Sequence, residues 1–143
     1  SNPNFNPKDA KEHVTLRLRL LSEMNKYGVR ILLGTDAPQL YSVPGFSIHR
    51  EFSKMSASGM SPYEILVTGT RNVGEYFASK DEFGTIEIGK RADLILLDSN
   101  PLQDLSSLKN NSGVMVAGRW LSKEFISDKL SEIESSYKKV KND

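Results

Sequence analysis

Cysteine is absent from the 143 residues, which excludes disulfides and thiolate-held zinc alike. Charge of one sign is also lacking: 19 basic side chains face 18 acidic ones, so no positive surplus exists to track phosphates. No nucleic-acid partner is expected. No apolar stretch of signal type opens the sequence, and the default compartment is therefore the cytoplasm. With 38% apolar and 26% charged residues, the composition excludes a membrane partner by spanning, a collagen-like repeat and a fully disordered chain. There is no G-x-S-x-G nucleophile elbow, and Gly84, Gly89 and Gly118 are spaced for turns rather than for a dinucleotide or phosphate loop. Internal repeats and low-complexity tracts are missing too. What remains is enough chain for one domain with a core.

The apolar pattern gives the outline. Residues 1–7, rich in Asn and Pro, read as an extended lead-in. From Lys8 to Tyr27 the period is helical, with Val14, Leu18 and Leu21 on one face and Leu16, Leu20 and Met24 widening it. Gly28 stops that helix, and Val29 to Leu33 form a short, almost continuously apolar run. Strands buried on both faces of a parallel sheet have this composition. After Gly34-Thr35-Asp36-Ala37-Pro38, the spacing predicts helices from about Ser47 to Ser58, from Ser61 to about Thr68 and from Asn72 to Ala78. The second of these opens with Ser, Pro and Glu at the positions a capping box needs. At Gly84 the period changes to two: Thr85 to Ile88 alternates, Ala92 to Leu97 is apolar, and Val114 to Val116 and Arg119 to Leu121 flank a tight turn at Ala117-Gly118. A charged helix closes the chain from about Ser122 to Lys139. Phe125, Leu130 and Ile133 make it amphipathic or an interaction surface, with fewer heptads than a coiled coil needs.

Among residues that could carry chemistry, Asp36 stands first. A carboxylate just past the end of a buried parallel strand lies where α/β sheets and barrels place their active sites, and it suits a hard or borderline metal. The same residue, ahead of Ala37-Pro38, could equally serve its own turn. His49 begins a helix whose N-terminal end should face the side of Asp36, or is a surface histidine at a helix start. His13, between charged neighbours, reads as solvated surface. Glu51 and Glu64 read as helix-start carboxylates that complement the dipole, and Trp120 as a core anchor in the hairpin.

Taken together, the motifs resemble the amidohydrolase superfamily. Gly34-Thr35-Asp36-Ala37-Pro38 looks like its eighth-strand motif, and Ser61-Pro62-Tyr63-Glu64-Ile65-Leu66 followed by Thr70-x-Asn72 resembles the segment after it. The run from Gly84 through Ala92-Asp93-Leu94 to Asp98, then Asn100-Pro101-Leu102, is similar to the stretch where these enzymes pass from barrel to small β-sandwich. Val114 to Arg119 looks like the last hairpin of that sandwich. The motifs keep the family's order across residues 29–121, and the subgroup looks imidazolonepropionase-like, a cluster that includes cyclic amide hydrolases and dipeptidases.

The resemblance implies an α/β fold: the last βα portion of a (β/α)8 barrel over residues 1–80, strands of a small β-sandwich over 81–122, and a terminal helix over 123–143. It implies hydrolysis of C–N bonds, other than peptide bonds, in cyclic amides or similar small molecules, by water activated on a divalent metal, commonly zinc. In such enzymes the aspartate matching Asp36 is a metal ligand that takes the proton of that water and passes it to the leaving amine. His49, in Ser-Ile-His-Arg-Glu-Phe, resembles a histidine found at that point, with a substrate-binding role. The family's other metal ligands match nothing in this sequence, so the chain alone is expected to be inactive and to bind no metal. Position 74 is Gly where the family usually has Ala, which reads as a minor change. An isolated barrel strand would expose backbone edges, so the chain is expected either to self-associate into a homo-oligomer or to rearrange to cover that edge. A competing reading is a non-catalytic assembly domain.

Overall fold

The computed structural model describes residues 6–142. Four helices come first: α1 (Pro7–Lys26), α2 (Ile48–Ala57), α3 (Pro62–Gly69) and α4 (Arg71–Phe77). Then follow strand β1 (Leu94–Leu97), a 3-10 helix (Leu105–Lys109), strands β2 (Asn111–Val116) and β3 (Arg119–Ser122), and helix α5 (Lys123–Asn142). The strands form an antiparallel sheet in the order β1-β2-β3. Leu94 faces Met115, and Met115 in turn faces Trp120. No helix among the described residues is long and apolar enough to cross a membrane.

Local chemistry explains where the helices stop and start. Asn6 caps α1 by accepting from the Lys8 amide at 3.0 Å, with Pro7 in the first turn. The extended lead-in expected over residues 1–7 therefore gives way to helix at Pro7, and its first five positions lie outside the described residues. At the end of α2, Gly59 adopts φ 94°. That left-handed turn lets the Met60 amide reach back to the Met55 carbonyl (3.3 Å) and the Gly59 amide to that of Ser56 (3.0 Å). Met55 and Met60, brought together by this closure, are two of the three buried core hydrophobes, and Ile65 on α3 is the third. Leu21, Ile31, Leu33, Phe52 and Leu105 pack around them, so the 3-10 helix joins the helical half to the sheet half.

The capping box of α3 forms as its sequence predicts: the Glu64 amide donates to Ser61 Oγ, and the Ser61 amide donates to Glu64 Oε2 at 2.7 Å. Asn25 Nδ2 donates to the other carboxylate oxygen at 2.7 Å, tying the end of α1 to the start of α3. Hydrogen bonds from Ser61 and then Asn25 hold the Glu64 carboxyl below its ordinary value of 4.5. The folded-state value is thus below the unfolded one. The stabilisation is complete above the ordinary carboxylate range and is lost as pH falls through the folded value. Glu64→Ala should lower stability by about 1 kcal/mol at neutral pH, the scale of a lost cap. Urea melts of the variant and wild type should converge as the pH falls through the folded-state value; a deficit that persists once Glu64 is protonated would show that the charge is not what stabilises.

Two expected strands are absent. Residues 29–34 are extended but pair with no strand among the described residues, and residues 85–88 pair with none either, with Ile86 and Ile88 exposed. A strand needs a neighbour to satisfy its backbone, and the described chain offers neither segment one. Trp120, expected as a core anchor, is half exposed and lies over Gly113, where a Cβ would come within 2.2 Å of its ring. The surface area is 11132 Å², against about 7,400 Å² for a compact monomer of this mass.

Candidate functional site

The extended segment after α1 alternates: Ile31, Leu33, Thr35 and Ala37 are half buried, while Leu32, Gly34 and Asp36 are exposed. Its inner face packs on the methionine core through Ile31 and Leu33. Two hydrogen bonds fix its backbone: the Leu33 amide donates to the Thr68 carbonyl (3.1 Å), and Asn72 Nδ2 donates to the Ile31 carbonyl (3.0 Å). Asp36 therefore projects from the outer face of a segment that is held in place from behind. Its φ is 50°, a left-handed conformation that aspartate tolerates better than most residues.

The turn after it is closed by other residues. Ser42 Oγ donates to the Thr35 carbonyl (2.8 Å), the Val43 amide donates to Ser47 Oγ (2.8 Å), and Arg50 donates to the Tyr41 carbonyl and to Ser47 Oγ. Among the described residues the Asp36 carboxylate accepts no hydrogen bond. The side-chain hydrogen bonds of this turn come from Thr35, Ser42 and Ser47.

His49 occupies the first turn of α2, edge-on to Phe52 with ring centroids 5.9 Å apart. It lines a cleft of about 370 Å³ with Asp104, Ser106 and Lys109. Burial, and then the charge of Lys109, push its pKa below the ordinary value of 6.5, so the ring is neutral at physiological pH. Asp36 is not among the residues lining this cleft. Thr70-x-Asn72 carries no evident task for Asn72 in the sequence; its grip on the Ile31 carbonyl supplies one. Thr68 had no signal, because its contribution is a backbone carbonyl. Asp93, in the motif running from Gly84 to Asp98, accepts from the Ala117 amide at 2.7 Å and pairs with Arg91, so it pins the hairpin turn.

A catalytic metal takes three or more protein ligands. No group of three or more Asp, Glu or His side chains converges among the described residues. The donors present among the described residues do not fit a metal by themselves.

The model of the Amidohydrolase family matches residues 10–121. Among solved structures, an Xaa-Pro dipeptidase with bound methionine in its active site is similar at 30% identity and a TM-score of 0.64, over 73% of this chain and 25% of its own. A molinate hydrolase is similar at 30% identity and a TM-score of 0.57, over 71% of this chain and 25% of its own. Phenylurea hydrolase B is similar at 28% identity and a TM-score of 0.57, over 71% and 26%. No curated protein matches the chain. This chain spans about a quarter of the length of those structures. The family match covers most of the chain and includes the Asp36 turn, both gripping residues and the sheet, and the chain belongs to the amidohydrolase family.

Proposed function

We propose that this chain works as the C-terminal part of a longer hydrolase and contributes the carboxylate that moves the proton during cleavage of a C–N bond. The observation that carries this is Asp36: a carboxylate free of structural hydrogen bonds among the described residues, on the outer face of a backbone gripped by Thr68 and Asn72, within the family-matched region. In this reading residues 29–34 are the last strand of a barrel. Neighbouring strands would cover Val29 and Leu32, which are exposed, and part of the area exposed beyond that of a compact monomer. The remaining metal ligands would come from those neighbours, and the group bound there, a divalent ion such as zinc, would activate water.

The substrate class rests on the names of the similar structures. An Xaa-Pro dipeptide and a phenylurea both present a carbonyl carbon bonded to nitrogen. A dipeptidase among them favours peptide bonds as well as other amides as substrates, and the order of the sequence motifs favours the imidazolonepropionase-like subgroup. His49 is assigned a substrate-facing role on its sequence context, Ser-Ile-His-Arg-Glu-Phe. His49→Ala should then raise KM while largely sparing kcat, and an unchanged KM would remove it from the site. The general test is amine release from Xaa-Pro dipeptides and N-aryl ureas by the metal-loaded longer protein. Release from one of these classes is expected, and no release from any C–N substrate would overturn the proposal.

A further inference from the structure

Helix α5 is 20 residues long, about 30 Å at 1.5 Å per residue, and it packs on β2 and β3. Near its start Ile126 is half buried and Phe125 is flanked by the cations of Arg119 (5.8 Å) and Lys129 (5.9 Å). From Ser127 to Lys138 every residue is exposed. Leu130, Ile133 and Tyr137 lie there at spacings of three and four, on one helix face, and are 46%, 66% and 72% exposed. An apolar face with that spacing, projecting into water without a partner among the described residues, is what a second helix covers.

We infer that this face pairs in parallel with α5 of a second copy of the chain. The charges at its border choose that occupant. With Leu130 and Tyr137 at the first seam position of the heptad and Ile133 at the second, Lys129 and Glu134 flank the seam five residues apart. In a parallel two-fold pair, Lys129 of one copy then meets the partner's Glu134, and symmetry makes the contact twice. Within one helix Lys129 bridges Glu132 at 2.8 Å and Glu134 bridges Lys138 at 2.5 Å. These are exposed pairs of small individual worth, and they can exchange partners without a large cost. The described seam has three positions, fewer than a free-standing coiled coil needs, so the pair is weak, with dissociation in roughly the micromolar-to-millimolar range. This association is separate from any pairing of the extended segment at residues 29–34.

The chain's lack of cysteine and its border charges make the test specific. Lys129→Glu and Glu134→Lys should each weaken self-association about tenfold in sedimentation equilibrium, because two attractive contacts become two repulsive ones. Mixing the two variants should restore association, since the carboxylate introduced at position 129 of one copy would then meet the native carboxylate's replacement, an ammonium, at position 134 of the other. Helix disruption alone would not be rescued by mixing. Ile133→Cys, the only thiol in the chain, should cross-link copy to copy under mild oxidation. A chain that stays monomeric up to about 1 mM, an association indifferent to the charge exchange, or a thiol that does not cross-link would each overturn the pairing. Capture of the face by another part of a longer protein would appear as the first of these outcomes.

Discussion

Replacing Asp36 by asparagine is expected to lower turnover of the longer hydrolase by about two to four orders of magnitude, the scale of losing a positioned general base. Asparagine has nearly the same volume and shape but does not take up a proton at neutral pH. In the proposed reaction the carboxylate accepts the proton of the attacking water and returns it to the departing amine. Both transfers lie on the path to the transition state, so kcat should fall while KM changes little. The structure makes the substitution clean. Asp36 is exposed, its carboxylate accepts no hydrogen bond among the described residues, and Thr35, Ser42 and Ser47 close the turn. The melting temperature of Asp36→Asn should therefore match wild type. Turnover at the wild-type rate would refute the role. A large loss of stability would instead mean that the carboxylate serves the turn.

Much of this arrangement was legible in the sequence, and the reasons differ by element. Helices α2, α3 and α4 fall within a residue or two of expectation, and the signals that place α3 and the end of α2 are local: Ser61, Pro62 and Glu64 at the start of α3, and the stop glycine Gly59 after α2. The hairpin at Ala117-Gly118 was equally local, and both residues take positive φ there. Strand pairing is not local. Val29 to Leu33 has strand composition, but a strand is made by its neighbour, and the described residues contain none for it. The same holds for Thr85 to Ile88. The 3-10 helix at Leu105–Lys109 carried only the weak mark of Asp104, whose carboxylate accepts from the Ser106 amide at 2.8 Å. The place of Asp36 just after an apolar segment was readable in the sequence. What the sequence could not show was how its backbone is held, because Thr68 acts through a carbonyl and Asn72 reaches 41 residues back to Ile31.

Gly74 was read as a minor departure, and the structure makes it a close contact that alanine should break. A Cβ at position 74 would lie 2.1 Å from the Phe83 carbonyl oxygen, 3.0 Å from its carbon and 3.2 Å from Gly84 Cα. All three are backbone atoms, so no side chain can swing away to make room. Gly84 is equally constrained from the other side: its φ is 94°, and a Cβ there would meet the Thr70 carbonyl at 2.6 Å. Two opposing effects decide the outcome of Gly74→Ala. Alanine gains about 1 kcal/mol of helix propensity over glycine inside α4. Against that, overpacking a tight contact typically costs about 1–3 kcal/mol, and a clash with backbone belongs at the upper end. The net is a loss of about 1–2 kcal/mol, or several degrees in melting temperature at this chain length. Phe83 would be displaced first. Its ring stacks at 6.4 Å from Phe77 and lies 4.6 Å beneath the Arg91 guanidinium, which pairs with Asp81 and Asp93. Asp93 holds the Ala117 amide, so a shift at Phe83 passes from α4 to the hairpin turn. Hydrogen exchange at Ala117 should therefore quicken in Gly74→Ala, alongside the lower melting temperature. A variant at least as stable as wild type would show that α4 and the Phe83–Gly84 turn have room to separate, and that the glycine at position 74 is incidental.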